Sequence, residues 1–579
     1  MTALNNSKMQ YVSSASYAAM TAWAGSTVTA AGTLIRQATT PAVGNERAFV
    51  CIVAGTTNSS EPTWTVTKGA KNTDNTVTWQ ECTGQPGVNG DTTNSPVWGA
   101  TLTVVLGQII YDSTSGALQI CSVAGTTGSS TPTFSATAGV TTTDNTVTWT
   151  SLGAHGNFGA WAAPHARITN ADAATWQTVI PAKIFIRNNH AETSSSAISL
   201  AGGQGTGASP NQYLSVGATV PPTSVSSGAS VSTTGNTNIS ITGNGYYYGI
   251  SFNLGTGANT PAFSIAKSGP QFYESCSFNI TATGATALTS FGTASSNSGF
   301  GDFLNCTFTF ANAAQTLTFY GGNTIIRGGS VAATGTVPTT LITPNNGQGF
   351  TLLIRDCDLS AITGTLFSFG SSNNAGVATL SNCKLGAGVA MTTGASTNAA
   401  GPTFRLTNCD SGNKTNRFYE GNFLGTMQQE TTIVDNTNIA TNGTSQISWN
   451  LTTTANASLG QPYQSSNLTQ WNLLTSGSHT ATIQINSNVS LTNDQIWMEL
   501  ECLDTSGFPI GTLVSSRASD VLVSPTTYTT SSDSWGGALT HQQYMQVTFS
   551  PAFIGYIRVR VYVAVPSTTI YINPLILVV

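Results

Sequence analysis

Charge is what this sequence has least of. Lys, Arg, Asp and Glu make up 7% of its 579 residues, against roughly 25% in an ordinary soluble domain. Salt-bridge networks are therefore excluded as the main source of cohesion. With no Lys/Arg cluster and a net charge of −5, the electrostatic footprint of a nucleic-acid binder or an anionic-membrane binder is missing. Long apolar runs are missing too. No stretch approaches the roughly 18 apolar residues of a membrane-spanning helix. Met1-Thr2-Ala3-Leu4-Asn5-Asn6 lacks the basic start and apolar core of a secretory signal. The expectation is a chain made in a cytoplasm, without membrane insertion and not exported by its own sequence. The five histidines, at 155, 165, 190, 479 and 541, are scattered, and the nine cysteines include no Cys-x-x-Cys pair. No metal motif, Ser-His-Asp spacing or phosphate-binding glycine loop is present. No cofactor is expected.

What is abundant is Gly, Ser, Thr and Asn, the residues of turns, together with 39% apolar residues. The apolar share separates the chain from disordered sequences, which cannot bury a core. The composition reads as an all-β fold with many strands and many turns.

Self-comparison at a shift of 70 aligns residues 51–79 with 121–149 without a gap. Cys51-Ile52-Val53-Ala54-Gly55-Thr56-Thr57 returns as Cys121-Ser122-Val123-Ala124-Gly125-Thr126-Thr127. Thr73-Asp74-Asn75-Thr76-Val77-Thr78-Trp79 returns as Thr143-Asp144-Asn145-Thr146-Val147-Thr148-Trp149. Asp-Asn supplies a turn, and Val-x-Trp alternates like a strand. Trp23 and Trp98 extend the likeness upstream, with five extra residues before Cys51 in the first copy. Cys82 is matched by Leu152, so it reads as a small core hydrophobe, not a disulfide or metal ligand.

From about residue 240 to 411 a second pattern returns seven times. Its first apolar column is Tyr247, Tyr273, Phe303, Ile326, Ile354, Leu380 and Leu406. A turn column follows at Gly249, Ser275, Asn305, Gly328, Asp356, Asn382 and Asn408, mostly types that tolerate a left-handed backbone. Five cysteines, 276, 306, 357, 383 and 409, fall in the next column with Ile250 and Gly329, and Phe252, Phe278, Phe308, Val331, Leu359, Leu385 and Ser411 two residues later. Spacings of 23 to 30 residues suit one turn of a three-faced, right-handed parallel β-helix, with coils stacked at about 4.8 Å. The cysteines are expected buried and reduced, and the Asn and Asp members to stack as a polar ladder at the bend. Lys183 to Glu192 reads as an early coil. After about residue 425 longer alternating strands begin, as in Ile496 to Cys502 and Ile557 to Val563, and predict a C-terminal antiparallel β-sandwich. The expected order is 1–94 with the first repeat, 95–160 the second, 161–415 the β-helix and 416–579 the sandwich.

The tandem modules resemble those near the N-termini of phage tail and fibre proteins. The runs Asn189-His190-Ala191-Glu192-Thr193, Tyr248-Gly249-Ile250-Ser251-Phe252, Asp356-Cys357-Asp358-Leu359-Ser360 and Asn382-Cys383-Lys384-Leu385-Gly386 are similar to a family of phage virion structural proteins with pectate-lyase-like β-helices. The resemblance implies a surface-exposed spike, tail-fibre or decoration element of a virion. It further implies a homotrimer, joined to other virion proteins through the N-terminal modules. Two alternatives accompany it. One is binding of host-cell surface glycan through exposed aromatics such as Trp497 or Trp535, for which packing within the sandwich is the plainer explanation. The other is a polysaccharide depolymerase. Glycoside hydrolysis needs two carboxylates about 5 to 9.5 Å apart, and the coil acids are few: Glu274, Asp302, Asp356, Asp358 and Asp410. Asp358 is expected to meet Ser330 and Lys384 in neighbouring coils, so no catalytic residue is assigned. His190 with Glu192 reads as a polar cap on the first coil.

Overall fold

The structure, a computed structural model, describes residues 9–173, 182–201, 206–266, 269–284, 289–291, 299–345, 349–369, 376–386, 389–393, 402–411 and 418–424. Beyond these it describes 439–445, 448–453, 462–463, 479–489, 491, 495–503, 509–515, 541–549, 556–563, 565–572 and 577–578. It is all-β apart from a few short helical turns, and divides into two units. One is Met1–Ala287 with Phe300–Thr309, the other Leu288–Gly299 with Phe310–Val579.

In the first unit each copy of the repeat forms the same four-stranded antiparallel sheet. The order is Leu34–Arg36, Ala48–Val53, Val77–Glu81, Lys71–Asp74 in one copy and Ile109–Asp112, Ala117–Val123, Val147–Ala154, Thr141–Asp144 in the other. Asn75 and Asn145 each take φ +54° at the tight turn, a conformation that Asn tolerates better than most residues. The preceding aspartates are buried and organise their copies identically. Asp74 Oδ2 accepts from the indole N–H groups of Trp23 (2.7 Å) and Trp79 (3.1 Å), while Oδ1 accepts from the backbone N–H of Asn58 (2.9 Å). Asp144 repeats this with Trp98 (2.8 Å), Trp149 (3.1 Å) and the N–H of Gly128 (2.7 Å). Cys51 and Cys121 pack with these tryptophans on one face of their sheets. The opposite faces share one core, in which Cys82 and Leu152 are both fully buried. Cys82 is thus the small hydrophobe its replacement by leucine suggests.

Each unit carries consecutive coils of a parallel β-solenoid. In the first, the coil strands Lys183–Arg187, Asn211–Val216, Gly245–Tyr248, Pro270–Glu274 and Phe300–Leu304 stack in parallel register, each followed after a bend by a second strand. In the second, Gly322–Arg327, Phe350–Arg355, Gly376–Ser381 and Thr403–Ser411 do the same. A third strand per coil forms a separate parallel sheet, such as Ile239–Ile241 with Phe263–Ile265, or Leu317–Phe319 with Thr340–Pro344. The predicted apolar column is buried throughout. In the first unit its rings stack, at 4.5 Å for Tyr213–Tyr247, 5.0 Å for Tyr247–Tyr273 and 4.7 Å for Tyr273–Phe303. Such pairs add roughly 0.5–1.5 kcal/mol each beyond the area they bury.

The bend column has positive φ at Gly249, Ser275, Asn305, Gly328, Asp356 and Asn382, and Asn382 Nδ2 donates to Asp356 Oδ1 at 3.2 Å. Asn408 departs from the expectation. It lies within the unbroken strand Thr403–Ser411, onto which Phe418–Leu424 folds back antiparallel, with a register shift between Leu406 and Cys409. The antiparallel partner spans both halves of the strand, so an irregularity in the ladder replaces the bend and parallel stacking ends there.

The five column cysteines are buried and in no disulfide, and four of their thiols meet the carbonyl of the apolar column one coil earlier. Cys276 faces Tyr247 O (3.5 Å), Cys306 faces Tyr273 O (3.6 Å), Cys357 faces Ile326 O (3.8 Å) and Cys383 faces Ile354 O (3.6 Å). A small side chain with a weak donor fits a bend where backbone carbonyls point inward.

The region after the coils forms two antiparallel sheets. One contains Ile439–Ser445, Ser448–Thr453, Thr569–Ile572, His479–Ser487 and His541–Phe549, with Leu577–Val578 beside it. The other contains Pro462–Tyr463, Tyr556–Val563, Ile496–Leu503 and Pro509–Ser515.

One pairing has no signature in the sequence. Strand Met9–Val12 runs parallel to Lys183–Arg187, Met9 opposite Lys183, and so forms a rung ahead of the first coil. The modules are braced against it. The Tyr11 hydroxyl donates to buried Asp91, Tyr11 N–H donates to Gly84 O (2.9 Å), and His165 Nε2 lies 2.8 Å from Gln10 Oε1. The loop holding the five extra residues of the first copy supplies Glu46, which pairs with Arg167 Nε at 2.6 Å and accepts from Asn170 Nδ2 at 3.2 Å.

Candidate functional site

Buried polar groups are the first place to look for chemistry, because desolvation perturbs them most. His190 and Glu192 are both buried, with Nε2 and Oε2 3.2 Å apart. His190 Nδ1 accepts from the Ser14 backbone N–H (3.0 Å), so the ring proton sits on Nε2 and points at the carboxylate. Glu192 Oε2 also accepts from the N–H of Ile168 (2.8 Å). Ser14 ties the segment before the modules, and Ile168 the segment after them, to the first coil. His165 is likewise enclosed, and burial, reinforced by the charges of Arg47 and Lys68, lowers its pKa to about 3. It is therefore neutral at any physiological pH. Burial holds the thiols of Cys121 and Cys276 up at about 12, which leaves them protonated and poor nucleophiles.

Four of the five coil acids divide into two groups, and the fifth, Asp410, lies in register with Lys384. Asp358 has Ser330 in register on one side and Lys384 on the other, and an exposed 3.4 Å contact joins it to Lys384 Nζ. The Ser360 hydroxyl and backbone N–H, then Lys384, hold its carboxyl below the ordinary aspartate range. Asp356 belongs to the bend ladder. Neither has a carboxylate from the next coil in register with it among the described residues. Glu274 and Asp302 differ. Asp302 lies opposite Phe272, so it is the diagonal neighbour of Glu274 one coil away, both on the outward side of their strands. The Tyr246 hydroxyl donates to Glu274 Oε2 at 2.7 Å.

No family model and no curated protein matches the chain. A solved structure similar to it is the enzymatically active domain of tailspike protein 4 of bacteriophage CBA120. That similarity has 10% sequence identity and a TM-score of 0.25, covering 98% of this chain and 89% of that one.

Around Glu274 the outward positions are unusual for a solvent-facing strand. Tyr246, Tyr248, Phe272 and Phe300 are half-buried, each on the side of its strand opposite the core column. The neighbouring strand of the same coils carries the ordinary pattern, Ser251, Asn253, Ser277, Asn279, Thr307 and Thr309 outward. There Asn279 Nδ2 donates to Asn253 Oδ1 at 2.9 Å. One side of the bend is therefore polar and the other aromatic with carboxylates. Sequence reasoning missed the aromatic row because Tyr246-Tyr247-Tyr248 reads as one run, and only the register shows which ring is inside. Trp497 lies in strand Ile496–Leu503, in register with Tyr562. Trp535 lies outside the described residues. Among the described residues no group of three or more His, Cys, Asp and Glu is placed to hold a metal ion, and no helix is long and apolar enough to cross a membrane.

Proposed function

We propose that this chain is a structural, surface-exposed element of a bacteriophage particle, a spike, tail fibre or decoration protein, that works as a rigid scaffold. The observation that carries this reading is the bracing of the two repeat modules on the solenoid. Tyr11–Asp91, Gln10–His165, Ser14–His190 and Glu46–Arg167 join segments up to 176 residues apart. Buried polar contacts of this kind fix orientation, which is what a projecting element needs. In this reading the helix is right-handed and the chain associates as a homotrimer. The modules at 1–94 and 95–160 face other virion proteins, 161–415 is the shaft and 416–579 closes it as a sandwich. Labelling intact particles with an antibody to the chain tests the placement, and native mass spectrometry tests the trimer. Absence of label from particles refutes the reading.

The second reading is recognition of host-cell surface glycan. It is favoured by the aromatic row with its carboxylates, and Trp497 and Trp535 stand as further candidate contacts. Binding of host cells by the purified chain, lost on treating the cells with periodate, tests it.

A further inference from the structure

We propose that the outward row formed by Tyr246, Tyr248, Phe272, Glu274, Phe300 and Asp302 is a saccharide-binding face, and that its ligand is a hydroxyl-rich glycan without carboxylate, sulfate or phosphate groups. The inference rests on the reading of the chain as a surface-exposed particle protein and gives its glycan contact a location.

The geometry begins with what the chain itself covers. In the column running Phe185, Leu214, Tyr248, Glu274 and Leu304, the first two members pack into a cluster with Trp161 and Val220. The outward apolar surface of the early coils is thus sealed from within. The next coil adds half-buried Tyr248 to that column, and the column beside it, which begins at Lys183 and Gln212, continues with half-buried Tyr246 and Phe272. Phe272 and Phe300 sit 5.7 Å apart and tilted. Tyr246 is held by its hydroxyl on Glu274.

A second copy is the competing occupant, and charge argues against it. In a trimer with parallel shafts equal rungs meet at the axis, so Glu274 and Asp302 of one chain would face the same carboxylates of the others. Like charges placed opposite one another destabilise, and interface cores are depleted of acids. A glycan suits both components of the row. The C–H faces of pyranose rings pack on aromatic faces, and their hydroxyls donate to carboxylate oxygens. An anionic sugar would be repelled by the same pair.

The test is an array of purified bacterial surface polysaccharides, neutral and anionic, probed with the full chain and with Phe272→Ala, Glu274→Gln and Asp302→Asn. These positions face outward, and melting curves check that each variant stays folded. The expected result is retention of one or more neutral polysaccharides. Phe272→Ala should weaken that binding tenfold or more and each carboxylate variant severalfold, at unchanged melting temperature. Release of reducing ends that both carboxylate variants abolish would place the same ligand on the same face. Retention of no polysaccharide, equal binding of anionic ones, or binding untouched by all three variants overturns the proposal. So does an oligomer that dissociates on Phe272→Ala, which assigns the face to a second copy. Particle labelling is scored separately, so a chain absent from particles that still binds glycan sinks the structural reading alone.

Discussion

Removing the buried carboxylate of a repeat module should open that module locally, and by the same amount in both copies. Asp74→Ala strips an acceptor from two indole N–H groups and one backbone N–H. A buried donor left without a partner costs about 1–3 kcal/mol. Trp79 is fully buried and carries that cost in full, while half-buried Trp23 recovers part of it from water. Counting the Asn58 amide as well, the loss is about 3–5 kcal/mol. Asp74→Asn is milder. Its amide oxygen can keep both indoles while the NH2 group turns toward the Asn58 amide, leaving one donor facing another at about 1–3 kcal/mol. A long multi-part chain does not unfold in one step, so the assay is native-state hydrogen exchange on the amides of Val77–Glu81 and Val147–Ala154. Asp144→Ala and Asp144→Asn repeat the experiment, because Trp98, Trp149 and Gly128 occupy the equivalent places. Protection should fall more for Ala than for Asn, with the copies agreeing within about 1 kcal/mol. If Asn proves as damaging as Ala, or one copy tolerates the loss, the carboxylate does not organise the module and the reasoning fails.

Three further outcomes follow from the coils and their N-terminal brace. Asn382→Val forces a β-branched residue to φ near +53° and breaks the bond to Asp356; about 1–3 kcal/mol of coil stability should be lost. Asn382→Gly keeps the backbone and should lose less, and Asp358→Asn, being exposed, should stay within about 0.5 kcal/mol of the parent; thermal melts that rank these three otherwise contradict the bend. His165 stays neutral when folded but takes a proton when unfolded below pH 6.5. Stability around His165 should therefore be constant in this respect above pH 6.5 and fall by about 1.4 kcal/mol per pH unit toward pH 3; hydrogen-exchange protection of Met9–Val12 that His165→Gln leaves equally acid-sensitive rules this out. Cysteines 51, 82, 121, 276, 306, 357, 383 and 409, all buried, should resist maleimide in the native chain and react on denaturation; rapid native labelling at Cys276 or Cys383 would falsify the buried column.

The coil interior was legible because it repeats. Tyr247, Tyr273 and Phe303 recur with a bend residue two places on and an apolar residue three beyond that, and each coil tests the phase of the last. The module turns at Asn75 and Asn145 were legible for the same reason. What one copy of a motif does alone was not. Met9–Val12 is four residues with no period, and its partner lies 174 residues away. The insertion before Cys51 showed only as five extra residues, since nothing local says that Glu46 has to reach Arg167. Asn408 fits the column in every respect but one: the next strand returns antiparallel, a property of the residues after it. Glu274 and Asp302 lie 28 residues apart in sequence, a separation that means nothing until the stacking register makes them neighbours.

Because Met9–Val12 is laid down as a rung before the modules and Lys183–Arg187 after them, the modules are topologically an insertion within the solenoid, not a head mounted on a tether. Two covalent crossings hold them, one leaving at Ser13 and one returning through His165 and Arg167. A pull or twist applied to the modules is shared between both crossings and passes into adjacent parallel strands, where the ladder between the two rungs resists it as shear. A single linker would swivel under the same load. Synthesis pays for this stiffness with delay: the Met9–Val12 rung is made before the modules but does not meet its Lys183–Arg187 partner until the chain has grown past residue 183. Through that interval the two sheets must fold around a strand that is still waiting for its neighbour.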